Sequence, residues 1–450
     1  MNLRRLNPLT LLVLGYTGLS FAGALLLMLP FARTGPLNPV DALFTSTSAL
    51  CVTGLIVKDT ATFYTAFGKA VILTLIQLGG LGYMTFATTI LFLLRRKGSL
   101  TLRLTMAESY PELALGQISH FVRRVLKLTL AFELTGAVLL AWAFSRHGFG
   151  PALSIAHGVF ISVSAFCNAG FSSFSDNLAS FATQPLVLLV VPFLFIAGGL
   201  GFFVHQDLYF RFLRRQKRKL ELHTRVVLRM TLLLLLVGTG VLYLTEGIRT
   251  SLPWGYQVLN AFFMAATPRT AGFNTLNVAA FSVPAVFLLL LLMTIGGSPG
   301  GTAGGIKTTT FAALFLWVRA WLRGNEKPVL LGNALPLESL QRSLIIVTMA
   351  ASTILLGTWI LTWTETPVIQ EVGFLPLLFE VVSGFGTVGL SFGSAHMANV
   401  SLSADFSVLG KGVMIVIMLI GRIGVLSLAA WVFRREHQTL RYVEGSYIVG

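Results

Sequence analysis

Phe44-Thr45-Ser46-Thr47-Ser48-Ala49-Leu50-Cys51-Val52-Thr53-Gly54-Leu55 decides the fold, because its pattern occurs four times. Counting back ten residues from Gly54, Gly170, Gly272 and Gly389 reaches Phe44, Phe160, Phe262 and Phe379. The residue after each glycine is Leu55, Phe171, Phe273 or Leu390. Four tripeptides thus share one spacing: Val52-Thr53-Gly54, Asn168-Ala169-Gly170, Thr270-Ala271-Gly272 and Thr387-Val388-Gly389. An internal repeat outranks local signals, since missing it misreads the whole fold.

The sequence around the first copy says what the repeat is. The chain has 450 residues, 55% hydrophobic and 11% charged, with a mean hydropathy of +0.79. Soluble domains are about a quarter charged, so this is a polytopic membrane protein. Residues 8–31 and 68–94 are each long enough to cross a bilayer, which takes roughly 20 residues. Residues 39–50 between them are too short, and Pro39 suits the first turn of a helix. They read as a re-entrant segment, a short helix returning as an extended strand through Gly54. Backbone at that depth survives only inside protein or along a water-filled path.

The same unit recurs with crossings at 121–144 and 184–210 around a loop at 151–174. It recurs again with 226–244 and 284–317 around 253–275, and with 344–363 and 410–433 around 374–393. The expected fold is an all-α polytopic membrane protein. Four tandem helix–pore loop–helix repeats, with eight transmembrane helices and four re-entrant loops, surround a central pore. The repeats run over 1–97, 98–219, 220–325 and 326–450, the last including the C-terminal tail, and together form one membrane domain.

Charge gives orientation. The net charge is +16, and most Lys and Arg fall in the N-terminus, the C-terminus and the loops 95–124, 211–229 and 319–342. The positive-inside rule places these segments, and both termini, in the cytoplasm. A basic face beside anionic headgroups accounts for the charge. Nucleic acid is excluded as a partner, because the dense run 211–229 lacks interleaved aromatics that stack on bases. On the other side Asp41, Asp59, Asp176, Glu246, Glu365, Glu371 and Asp405 roughly balance the cations, and a weakly negative mouth would concentrate cations there. Arg4 and Arg5 before an apolar run read as the start of a first membrane helix rather than a signal peptide. Cys51 and Cys167 each lie three residues before a repeat glycine and read as small buried hydrophobes, not a disulfide. The seven histidines show no metal-ligand spacing, and no catalytic grouping is present, so the chain does not read as an enzyme.

An ion crossing a membrane must have its hydration shell replaced, and rings of backbone carbonyls do this. Four loops, each extended through a glycine, supply four carbonyls per layer. Glycine is needed where inward-pointing carbonyls force backbone angles that side chains forbid. The short helices ahead of the loops aim their negative C-terminal ends at a cation below. The twelve residues of the four tripeptides are therefore the candidate filter for a cation.

A second echo lies in the later helix of each unit: Gly79-Gly80-Leu81-Gly82, Gly198-Gly199-Leu200-Gly201, Gly296-Gly297-Ser298-Pro299-Gly300 and Gly421-Arg422-Ile423-Gly424. In the first two copies these read as close helix packing. In the third, Gly296, Gly297, Ser298, Pro299, Gly300, Gly301, Thr302, Ala303, Gly304 and Gly305 interrupt a spanning segment, since no helix runs smoothly through so many glycines and a proline. Broken helices near the membrane midplane mark ion sites or gates. The near match of Gly300 to Thr308 to a phosphate-binding loop fails, because Ile306 separates Gly305 from Lys307 and no strand precedes it. In the fourth copy Arg422 replaces a glycine. An intramembrane arginine needs partners. Lys307 is expected to snorkel toward the cytoplasm. Glu133 is a further intramembrane charge without an assignable partner.

These glycines, the run Gly296-Gly297-Ser298-Pro299-Gly300-Gly301-Thr302-Ala303-Gly304-Gly305-Ile306-Lys307-Thr308-Thr309-Thr310 and Arg422 resemble the Ktr/Trk/HKT superfamily of potassium transporters over nearly the whole chain. With no room for an extra helix pair before Pro8, the bacterial Ktr membrane (ion-translocating) subunits are the closer match. The resemblance implies potassium uptake across a bacterial plasma membrane, with 296–305, Lys307 and Arg422 as the gate beneath the filter and Arg422 latching the loop through the carbonyls of 296–305. It implies a homodimer, regulated by a cytosolic ring of RCK domains that binds ATP/ADP or NAD. Glycine at 54 goes with potassium preference, where some plant relatives carry serine and prefer sodium. Sodium is a candidate activator, and no organic cofactor is expected in this chain. The alternative is a sodium- or proton-coupled cation symporter.

Overall fold

The computed structural model describes residues 8–82, 118–215, 219–325, 328–330 and 332–425. The expected crossing at 68–94 beyond residue 82, most of the basic loop 95–124, and the tail after residue 425 lie outside them.

The first unit consists of α1 (Pro8–Met28), α2 (Pro39–Cys51) and α3 (Ala66–Gly80). Helix α2 begins at Pro39 behind Asn38, whose side chain accepts from the Val40 N–H, a proline–cap pairing that favours a helix start. The second unit has α4 (Ile118–Arg146), α5 (Pro151–Phe166), α6 (Pro185–Leu200) and α7 (Phe202–Leu208). The third has α8 (Leu222–Thr245), α9 (Trp254–Ala266), α10 (Val283–Thr294) and α11 (Thr308–Leu322). The fourth has α12 (Leu337–Thr364), α13 (Thr366–Val372), α14 (Phe374–Gly386) and α15 (Val408–Ile423). A two-residue hairpin, Val329–Leu330 with Asn333–Ala334, joins the last two units. By length and composition α4, α8 and α12 can each cross a bilayer unaided.

The later helix of the second unit departs from the sequence reading. It does not run from 184 to 210 in one piece but turns by 98° between α6 and α7, at Gly201 with φ +92°. The Gly198–Gly201 run is therefore a bend as well as a site of close packing, with Gly198 against the Phe166 carbonyl. Its cause is distant in sequence: the Phe202 N–H donates to the Gly300 carbonyl and the Ser298 N–H to the Gly199 carbonyl, so the loop after α10 occupies the bend.

Where the first helix of a unit ends, it meets the start of the helix that follows the unit's repeat glycine. Thr65, capping α3, donates to the Phe31 carbonyl. The Gln184 amide lies 3.1 Å from the His147 ring. Glu246 accepts from the Ser282 backbone and hydroxyl, and Glu365 accepts from Ser407 in the same way. This corrects the reading of the acidic residues. Glu246 and Glu365 are 6% and 2% exposed and hold helix ends rather than charge a mouth. Asp41 is paired with Lys411 at 2.7 Å. Asp59, Asp176, Glu371 and Asp405 are each engaged by a hydrogen bond or by His396.

Candidate functional site: a ring of four glycine loops over a glycine-rich loop

The four short helices converge, and each ends a few residues before its glycine. Gly54, Gly170, Gly272 and Gly389 have φ of +92°, +70°, +75° and +90°. Two residues earlier, Val52, Asn168, Thr270 and Thr387 are also left-handed, at +57°, +60°, +75° and +50°. Such angles are costly for β-branched residues. Three of these four are β-branched, so strain is concentrated here, as it is at functional sites. The residue between each pair is not left-handed.

The glycines form a closed cycle. A Cβ built on Gly54 would lie 2.5 Å from the Ala169 carbonyl oxygen, and one on Gly170 2.9 Å from that of Ala271. One on Gly272 would strike the Val388 carbonyl, and one on Gly389 the Thr53 carbonyl. Each loop thus faces the carbonyl of the next, and the fourth faces the first. No side chain fits at any of the four positions.

Hydroxyls behind the ring hold it. Ser48 and Ser383 accept from the Gly54 and Gly389 N–H groups at 3.1 and 3.0 Å. Ser164 and Thr267 donate to the Phe171 and Phe273 carbonyls at 2.7 and 2.6 Å. The hydroxyls of Thr53 and Thr387 are buried without a partner among the described residues. On one side the ring opens into a polar cavity of about 480 Å³, lined by Gly54, Gly170 and Gly389 with Asp59, Asn177 and Asn274.

On the other side lies the segment from 296 to 305. Its neck is closed by the Gly296 N–H donating to the Ile306 carbonyl at 2.9 Å. Ser298 lies inside, 3.0 Å from the Thr308 hydroxyl. Gly297 and Gly301 pack against the backbone of Gly199 and Gly198, Pro299 lies over Gly201, and Gly304 lies directly against the Thr387 side chain. The Thr302 hydroxyl donates to the Phe166 carbonyl at 3.2 Å. The amide orientation of Asn168 that satisfies all its neighbours has the nitrogen donating to Thr302 Oγ1 and to the Phe195 carbonyl, each at 3.0 Å. The loop after α10 therefore touches two of the four tripeptides directly.

Arg422 donates to the Thr302 carbonyl and to the Gly79 carbonyl. The first is the partner expected from sequence. The second ties the first and fourth units to the loop. Lys307 does not extend away. Its ammonium donates to the Ala303 carbonyl at 2.7 Å and sits 3.4 Å from that of Gly304, because the loop curls its carbonyls back over it.

Glu133 has the partners that sequence did not supply. Its carboxylate accepts from the Gln77 amide at 3.3 Å and lies 3.7 Å from the Cys167 thiol. Both cysteines are free and buried. Two charged residues went unremarked in the sequence. Glu380 is fully buried in α14 and accepts from the Ser403 backbone and hydroxyl at 2.9 and 2.6 Å, pinning the short 3-10 turn Leu402–Ala404. Arg269, three residues before Gly272, is buried. A signal existed for the first: a lone acid inside an apolar re-entrant helix.

Residues 9–439 match the family model described as TrkH, cation transport protein. The chain is 36% identical to the Ktr system potassium uptake protein B of Bacillus subtilis, over 99% of this chain and 97% of that protein. It is 35% identical to the potassium/sodium uptake protein NtpJ of Enterococcus hirae, over 99% of this chain and 98% of that one. The crystal structure of the potassium transporter TrkH from Vibrio parahaemolyticus shares the fold at 21% identity, with a TM-score of 0.75 over 96% of this chain and 86% of that chain. The chain belongs to the TrkH/Ktr family of cation transport proteins, integral membrane transporters rather than enzymes.

Proposed function

We propose that this chain is the ion-translocating subunit of a potassium uptake system in a bacterial plasma membrane, with eight crossings and both termini in the cytoplasm. The observation that carries this reading is the closed cycle of Gly54, Gly170, Gly272 and Gly389, each facing the carbonyl of the next loop. Four carbonyls per layer can stand in for the hydration shell of a monovalent cation. Relatives named as potassium uptake proteins make potassium the cargo. Entry is driven by the membrane potential, about 2.3 kcal/mol per charge per 100 mV.

The loop 296–305, with Lys307 and Arg422, is the gate beneath this filter. Arg422 and Lys307 together place two cationic side chains on its carbonyls, which favours a shut, cation-repelling state. A homodimer in the bilayer and a cytosolic RCK ring binding ATP/ADP or NAD complete the assembly. Sodium acts as an activator. The name of the Enterococcus hirae relative, potassium/sodium uptake protein, also keeps a sodium-coupled symport as the second reading. Reversal potentials that follow the potassium gradient alone would dismiss it.

The test is growth of potassium-uptake-deficient cells at low potassium, with the cytosolic partner supplied and surface expression verified. Wild type is expected to restore growth, and failure to do so would sink the assignment.

A further inference from the structure

Between α4 and α6 an outward-facing groove of about 460 Å³ runs along the molecule. Phe132, Thr135 and Leu139 of α4 form one wall, Leu189 and Phe193 of α6 the other, and Phe262 of α9 its floor. Thr135 is the one polar side chain in the lining among the described residues. Leu189 and Phe193 are half exposed or more, as suits a surface that meets hydrocarbon.

The groove continues a stripe on α4. Steps of four and three residues lead from Arg124 through Leu128 and Phe132 to Thr135 and Leu139, which places them on one helix face. At 1.5 Å per residue, Phe132 lies about 12 Å and Leu139 about 22 Å beyond Arg124. Half of a bilayer's hydrocarbon core is about 15 Å. The groove therefore sits at the depth reached by the ends of acyl chains whose phosphates are level with Arg124.

The near end of the stripe is basic. Arg123, Arg124 and Lys127 are exposed. The Arg124 guanidinium lies over the Phe210 ring at 5.5 Å, which limits its freedom. The one acid of α4, Glu133, is buried on another face against Gln77, so α4 itself sets no carboxylate along the stripe.

We propose that this stripe is a binding site for one anionic phospholipid of the adjoining leaflet. Its phosphate sits at Arg123, Arg124 and Lys127, and an acyl chain fills the groove. Phe262 lies ten residues before Gly272, so the chain braces the helix behind the third loop. The inference rests on the membrane setting of the fold, not on which ion crosses.

The test is native mass spectrometry of the purified full-length protein titrated with phosphatidylglycerol or phosphatidylethanolamine. Wild type is expected to retain phosphatidylglycerol selectively. The variant Arg123→Gln/Arg124→Gln/Lys127→Gln should bind it about a hundredfold more weakly, and Thr135→Trp should lose it by filling the groove. Arg146→Gln, at the opposite end of α4 and stacked on Trp142, should retain it as wild type does. The triple variant changes only exposed side chains, so it keeps the test decisive if Thr135→Trp fails to fold. Equal retention of both lipids, or equal loss in Arg146→Gln, would overturn the site. A change from dimer to monomer mass in Thr135→Trp would overturn it in favour of a second copy of the chain.

Discussion

Asn168 donates its side-chain amide to the hydroxyl of Thr302, 3.0 Å away, and Thr302 passes a hydrogen bond on to the Phe166 carbonyl. The same Thr302 presents its own carbonyl to Arg422. One residue of the glycine-rich loop therefore joins the second tripeptide to the intramembrane arginine. A change in loop position must alter the surroundings of Asn168, and the reverse also holds.

Thr302→Val isolates this joint, because it keeps the volume and removes the hydroxyl. A hydrogen bond of this kind contributes about 1 kcal/mol, or about fivefold in an equilibrium. If it holds the loop shut, rubidium flux into proteoliposomes lacking the cytosolic partner should rise about fivefold. Unchanged resting flux would remove Thr302 from the gate.

Arg422 spans two carbonyls on separate segments, which only a forked donor can do. Arg422→Lys keeps the charge but reaches one carbonyl at a time. Arg422→Gln keeps a donor and loses the charge. Resting flux is expected to rise in the order wild type, Lys, Gln, Ala. Equal flux in all four proteins would dismiss the latch. Lys equal to wild type would assign the effect to charge alone.

Gly54→Ser puts a Cβ 2.5 Å from the Ala169 carbonyl at a φ of +92°. The neighbouring carbonyl must move, so the ring loses its geometry on one side. The potassium-to-sodium permeability ratio, read from reversal potentials, should fall. Gly148→Ala supplies the control. It has φ +98° but nothing within 4 Å of its Cβ. It should cost about 1–2 kcal/mol of stability from backbone strain and leave the ratio unchanged. An equal fall in both variants would mean that strain, not the ring, sets the ratio.

The repeat was legible in sequence because its cause is local and steric: the four positions that need glycine have it, and each short helix is written by a fixed spacing from phenylalanine. Ser48, Ser164 and Ser383, each six residues before a glycine, were equally readable. The third unit hides the pattern by placing Thr267 one position later. The bend at Gly201 was not legible. What turns α6 is the arrival of Ser298 and Gly300 from a hundred residues away, at a left-handed glycine of the kind that Gly82 and Gly424 also supply. The capping acids Glu246 and Glu365 were misread for a related reason. A carboxylate near a helix end looks the same in sequence whether it faces water or closes on a serine forty residues later.

Asp41 and Lys411 close the circle of units, one on α2 and the other on α15, 2.7 Å apart with side chains 11% and 13% exposed. Breaking a pair this buried leaves one charge without its partner, which costs about 3–5 kcal/mol, whereas replacing both by apolar groups can be nearly neutral. Lys411→Met should therefore lower the thermal midpoint in detergent strongly. Asp41→Leu/Lys411→Met should recover most of the loss. The recovered protein should also keep wild-type potassium discrimination, because the glycine ring is held by Ser48 and Ser383 rather than by this pair. A double variant as unstable as Lys411→Met would mean that the pair acts as more than a clamp between the first and fourth units. A stable double variant with altered discrimination would mean that the clamp sets the ring.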